Sequence, residues 1–143
     1  MVRKAKLSDL ISICLLAKRA SVRFEFTFKV DTKFLFNSLY DLMSKNNIDM
    51  FVQEENNQIV GTIAVICHKD IFSGKLIANE LFWYVDEGYN GMALFNAFEQ
   101  FCKEKGVDII MVSIYNNKYS SLLDKLYKRK NYKLFNSIYY KEV

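Results

Sequence analysis

Glu80 is a carboxylate set inside an apolar run, Ile77-Ala-Asn-Glu-Leu-Phe-Trp-Tyr-Val85. A carboxyl group buried in such surroundings keeps its proton to higher pH than in water, and its ionised form can take a proton from an ammonium group. The plainer alternatives are an outward-facing strand residue or a partner to a nearby lysine, and a charge in this run fits them less easily. The run ends in Asp86-Glu-Gly-Tyr-Asn-Gly91, after which Met92, Phe95, Phe98 and Cys102 repeat at helical spacing. A strand, a glycine-containing turn and a helix start therefore follow one another directly. The first N–H groups of a helix have no partner within it and sit at its positive dipole end, which suits a phosphate or pyrophosphate. Gly88 and Gly91 can equally be there only to make the turn. The glycine spacing matches neither a Walker loop nor a dinucleotide fingerprint.

Other reactive residue types offer less. Cys14, Cys67 and Cys102 lie far apart with no paired spacing, so they read as reduced thiols used as small apolar residues. With His68 as the single histidine, no protein-held metal site is expected. Lys125, Lys128, Arg129 and Lys130 form a basic helix face, read first as solvated and secondarily as an attraction for an acidic group. Phe24, Phe26, Phe28 and Trp83 could line a pocket, although core packing is the ordinary use of such residues.

The elements that must position these residues follow from periodicity. The chain has 143 residues, half of them apolar and a quarter charged, with a net charge of +4. That is the length of one domain with enough apolar surface to fold, and it excludes a disordered or fibrous chain. The charge excess is smaller and more scattered than nucleic-acid binders usually carry, which leaves a small nucleic-acid binder using Tyr, Phe and Lys as a minor reading. No apolar run approaches the ~20 residues of a membrane span, and no signal-peptide pattern is present, so a cytoplasmic protein is expected. Val2 to Ala5 reads as a first strand, and Ser8 as the N-cap of a helix running to Ala20. Phe24 to Phe28 reads as a strand or extended loop, and a second helix spans Asp31 to about Asn46. Met50–Glu55 and Gln58–His68 form a hairpin turned at Asn56-Asn57, because asparagine tolerates positive φ. A third long strand covers Leu76–Val85, and a helix from Met92 stops at Gly106. Asp108–Ile114 reads as a strand buried on both faces, Ser120–Lys130 as a helix, and Tyr132–Glu142 as one or two closing strands. The expected architecture is α/β (α+β), a mixed central sheet flanked by about four helices, in the order β-α-α-β-β-β-α-β-α-β(-β).

Taken in order, the segments VRKAKLSDLISI, NNQIVGTIAV, FSGKLIANELFWYV, ALFNAFEQFCKEKG, LYKRKNY and IYYKEV resemble the GNAT superfamily of acyl-CoA N-acyltransferases, most of all its phage-type members. The resemblance spans essentially the whole chain and implies a single GNAT domain over residues 1–143. It implies that the central strand and the next parallel strand splay apart and that pantetheine lies in the gap, against the backbone of Trp83, Tyr84 and Val85. It places the pyrophosphate at Gly88, Tyr89, Asn90, Gly91 and Met92. Glu80 matches the carboxylate that deprotonates the incoming ammonium, Tyr127 matches the tyrosine that protonates the departing thiolate, and Asn116 or Asn117 is a candidate cofactor contact. Ser120 stands where the family often has asparagine.

The pyrophosphate loop departs from the family pattern of Arg or Gln, two residues, Gly, one residue, then Gly or Ala. With Gly91 in the fourth place, Gly88 replaces the Arg or Gln; aligned backwards from Gly106, Asp86 and Tyr89 fall where Arg/Gln and Gly belong. Acidic side chains at Asp86 and Glu87 suit a pyrophosphate only if both point away.

The implied activity is N-acetyl transfer from acetyl-CoA, with no metal, to a primary amine by direct attack. The acceptor is a small molecule or a protein or peptide amine, with no nucleic-acid or membrane partner, and an exposed closing strand or aromatic patch could support a homodimer. The alternative is a degenerate GNAT-fold binding module without catalysis, which the irregular 86–91 loop would favour.

Overall fold

Asn56 and Asn57 both adopt left-handed φ, 51° and 60°, and turn the chain tightly between β2 (Asp49–Glu55) and β3 (Gln58–Lys69). This hairpin is the centre of a five-stranded sheet of order β1-β2-β3-β4-β5, in which β1 is Val2–Lys4, β4 is Leu76–Val85 and β5 is Ile109–Met111. Neighbours run antiparallel except β4 and β5, which are parallel. The computed structural model describes all 143 residues, which fall into two compact units, 1–113 and 114–143. No helix is long and apolar enough to cross a membrane.

Side chains alternate along each strand, so the sheet has two apolar faces. Met50, Val52 and Ala64 share one core with Leu10 and Ile13 of α1 (Leu10–Arg23) and Leu39 of α2 (Thr32–Ser44). Phe51, one residue out of phase, meets Phe101 of α3 (Met92–Glu104), and Trp83 meets Phe95 at 4.9 Å between ring centroids. In α3, Leu94, Phe95, Phe98 and Cys102 are completely buried; burying a side chain of the size of Leu or Phe stabilises by about 1.5–3 kcal/mol. The second unit contains α4 (Ser120–Arg129).

The structure corrects several boundaries. Ser8 is not the cap of α1: Leu7–Asp9 form a 3-10 turn, and the Asp9 carboxylate accepts the Lys6 N–H at 2.7 Å. Phe24–Phe28 is a turn rather than a strand, because Phe24 and Phe26 donate back to the carbonyls of Ala20 and Ser21 and close off α1. Asp31 caps α2 through a 3.0 Å bond from the Phe34 N–H, and the helix stops at Ser44 because Asn46 turns to a φ of 55°. The strand expected over 108–114 is reduced to Ile109–Met111, where β4 offers a partner. Residues 133–143 form no strand. Their alternating aromatic and aliphatic residues have strand propensity, but a strand exists only where a ladder partner runs alongside it.

Candidate functional site

The parallel pairing of β4 with β5 covers only Ile77–Ile109, Ala78–Ile110 and Asn79–Met111. From Glu80 to Val85 the same edge of β4 has no β5 partner, although β4 continues to pair with β3 along its other edge. A bulge marks the place where the strands part. Phe82 pairs with Ala64 and Glu80 with Val65, so Leu81 is an extra residue. One extra residue shifts the alternation, so Glu80 falls out of phase with Phe82 and Tyr84, and the strand bends at that point.

Glu80 therefore stands where the gap opens. Its Oε2 accepts hydrogen bonds from the Ser113 N–H at 3.2 Å and the Ser113 hydroxyl at 3.3 Å. Desolvation pushes its carboxyl up to about 7, and the two bonds from Ser113 oppose the shift without cancelling it. The lysine partner considered as an alternative is not formed: Glu80 has no ion pair. Such a group is part ionised at neutral pH and can both take and release a proton.

At the far end of the open edge, the chain turns through 86–91 into α3. Gly88 has a φ of 85°, a conformation that side chains with a Cβ rarely adopt. Gly91 serves a different purpose, close approach: a Cβ there would lie 2.6 Å from Val85 Cγ2 and 3.0 Å from Trp83 Nε1. Its absence lets the first turn of α3 sit directly on the end of β4. Gly91 also has no side chain to cap that turn. Asn90 Oδ1 accepts the Met92 N–H at 2.9 Å, and the Tyr89 N–H reaches the Asp86 carbonyl at 3.3 Å. Beside this turn the buried Trp83 Nε1–H has no acceptor. Glu80, Trp83, Tyr84, Val85, Gly88, Tyr89, Asn90, Gly91 and Met92 are thus brought onto one continuous path.

Asp86 meets the condition that an anion site would impose. Its carboxylate turns toward α1 and is held by Arg19 through both oxygens, at 3.0 Å from Nε and 2.7 Å from the second guanidinium nitrogen. Glu87 is exposed. Arg23 donates to the Val85 carbonyl at 3.0 Å.

Phe82 and Tyr84 stack at 5.4 Å, and Phe26 lies 5.5 Å from Tyr84. This group packs on Leu16, Ala17 and Ala20 of α1, so core packing accounts for most of the aromatic row. Phe28 is exposed. No group of three or more His, Cys, Asp or Glu side chains is gathered as a metal would require.

Asn117 and Tyr127 belong to the second unit. Asn117 organises the start of α4: its Oδ1 accepts the Tyr119 N–H at 2.8 Å, and its carbonyl accepts the Ser120 hydroxyl at 2.8 Å. Tyr127 is the buried residue of α4 and lies 5.7 Å from the Tyr132 ring. Part of the basic face is paired within the helix, Lys128 with Asp124 at 2.6 Å.

Two residues of the site were not foreseen. Ser113 is a polar interruption in an apolar stretch, a signal that could have marked it. Arg19 is 67 positions from its partner, and nothing local in the sequence reveals the pairing.

No family model and no curated protein matches the sequence. Solved structures do match. An aminoglycoside acetyltransferase from an uncultured soil metagenomic sample, crystallised with sisomicin, is 23% identical with a TM-score of 0.77, over 100% of this chain and 95% of that one. A Clostridium acetobutylicum protein described as a predicted acetyltransferase with acetyl-CoA is 18% identical with a TM-score of 0.80, over 99% and 95%. A GNAT family acetyltransferase from Staphylococcus aureus is 14% identical with a TM-score of 0.73, over 100% and 98%. The chain has the GNAT acetyltransferase fold.

Proposed function

We propose that this chain, with the fold of the GNAT acyltransferases, is an N-acetyltransferase that moves the acetyl group of acetyl-CoA to a primary amine. The observation that carries the reading is the open edge of β4, with Glu80 at one end and the glycine-lined start of α3 at the other. The backbone of Trp83, Tyr84 and Val85 takes the pantetheine arm, with N–H groups there polarising the thioester carbonyl. Gly88, Tyr89, Asn90, Gly91 and Met92 take the pyrophosphate, and Asn117 is a further contact to the nucleotide. Glu80 removes a proton from the ammonium, the amine nitrogen attacks the carbonyl carbon, and the C–S bond breaks. By the family resemblance, Tyr127 gives the leaving thiolate its proton, and the second proton shed by the attacking nitrogen as the amide forms restores the Tyr127 hydroxyl by way of solvent. No covalent enzyme intermediate forms, and positioning supplies much of the acceleration.

In this reading residues 1–143 work as one GNAT domain in the cytoplasm, on a small-molecule or protein amine. An aminoglycoside is one such acceptor, supported by the sisomicin-bound neighbour. Free thiol release from acetyl-CoA over a panel of primary amines tests the activity. Amine-dependent release supports it. No detectable binding of acetyl-CoA by calorimetry, with no release by any amine, would instead favour a binding module that has lost catalysis. The Asn90 side chain on the Met92 N–H is the observation on that side, since it occupies a donor that a phosphate would use.

A further inference from the structure

We infer that Arg19 is a positioning residue for the diphosphate end of the donor site: it turns Asp86 away from the start of α3 and neutralises it. The inference rests on the reading of 88–92 as the pyrophosphate loop.

The loop Asp86-Glu-Gly-Tyr-Asn-Gly91 contains two carboxylates and no lysine or arginine. A diphosphate brought to its helix end would meet like charge within a few ångströms, where Coulomb repulsion is substantial even near a protein surface. The fold answers this through α1. Arg19 binds both oxygens of Asp86, the geometry that fixes a carboxylate in direction as well as in charge. One turn further along α1, Arg23 holds the Val85 carbonyl, and the Asp86 N–H is bound to the Val60 carbonyl at 2.7 Å. The segment joining β4 to the loop is thus fastened at three points, two on α1 and one on β3.

The other arginines nearby are engaged elsewhere, Arg23 on the Val85 carbonyl. Arg19 and Asp86 line a polar cavity of about 480 Å³ between α1 and the β2–β3 hairpin, whose other arginine is Arg3. Arg3 is already committed, to Asp9 at 2.8 Å and to Glu54 at 2.9 Å. Loss of Arg19 would leave Asp86 as an uncompensated charge at the mouth of the loop. The Arg19 side chain is half exposed, so replacing it leaves the core intact.

Calorimetric titration of acetyl-CoA into the wild type, Arg19→Met and the double variant Arg19→Met/Asp86→Asn tests this. Arg19→Met should bind about tenfold more weakly at low salt, and less so at high salt. The double variant should recover to within about threefold of the wild type, because the carboxylate that needed compensation is gone. In turnover, KM for acetyl-CoA should rise with kcat unchanged. S-acetylpantetheine, which lacks the diphosphate, should be used equally well by all three. Wild-type affinity in Arg19→Met, no recovery in the double variant, or an equal loss with S-acetylpantetheine would each overturn the inference. Failure of the wild type to bind acetyl-CoA at all would overturn the pyrophosphate-loop reading, and the inference with it.

Discussion

The Glu80 carboxylate accepts two hydrogen bonds from Ser113, one from its backbone at 3.2 Å and one from its hydroxyl at 3.3 Å, across the point where β4 and β5 part. The contact ties the candidate base to the far side of the gap. It also limits how far burial can raise the carboxyl, which stands at about 7.

Replacing Glu80 by Gln should cut kcat/KM for an amine acceptor about 100-fold near neutral pH. The deficit should shrink as the pH approaches the amine's own pKa, where solvent removes the proton. Stability should move the other way. Because the folded-state carboxyl titrates above its ordinary value, the native state binds more protons than the unfolded chain between about 4.5 and 7. Wild-type stability therefore falls as pH rises through that window, whereas Glu80→Gln has no such loss. Thermal unfolding at pH 5 and pH 8 reads this directly: the variant should gain on the wild type at the higher pH.

Ser113→Ala removes one of the two bonds that hold the Glu80 carboxyl down. The acidic limb of the rate profile should move to higher pH, with little change in the rate at its alkaline plateau. An unmoved limb would mean that the Ser113 hydroxyl does not act on the base.

Tyr127→Phe keeps the aromatic contact with Tyr132 and removes only the hydroxyl. Thiol release should slow about tenfold or more, in line with loss of a general acid. An acyl donor with a more acidic thiol should narrow the gap, because its leaving group needs no proton.

The two loop glycines should respond differently. Gly91→Ala drives a methyl group to 2.6 Å from Val85 Cγ2 and should cost about 1–3 kcal/mol through overpacking, together with affinity for acetyl-CoA. Gly88→Ala meets nothing within 4 Å and carries only the strain of a left-handed φ, about 1–2 kcal/mol. Urea unfolding and calorimetry on both variants separate packing from backbone strain.

Asp9 gives a test of the fold that is independent of the site. Arg3 beside it, and the Lys6 N–H, hold its carboxyl below the usual range. The stabilisation is present above the ordinary carboxyl value and is lost as pH falls through the lowered one. Asp9→Asn should therefore lose about 1–2 kcal/mol at neutral pH and little in strong acid, as measured by urea unfolding.

Much of this was legible in the residues because it is local. The Asn56-Asn57 turn, the Leu76–Val85 strand and the α3 stripe depend on neighbours within a few positions, and the structure has them as expected. What local patterns could not reveal depends on partners distant in the chain. Ser113 and Arg19 act on residues 33 and 67 positions away. The Leu81 bulge exists only because β3 runs alongside β4. For the same reason the strand read over 108–114 shrank to Ile109–Met111 and the one read over 132–142 did not form. Apolar alternation says that a segment could join a sheet, and only a neighbouring edge decides whether it does.

A crystal structure of the protein with acetyl-CoA tests the central claim most directly. The thioester carbonyl should lie within hydrogen-bonding distance of the β4 backbone between Trp83 and Val85, with the diphosphate against the N–H groups of 88–92 and Asp86 still held by Arg19. A cofactor bound elsewhere, with the open edge of β4 untouched, would contradict the account.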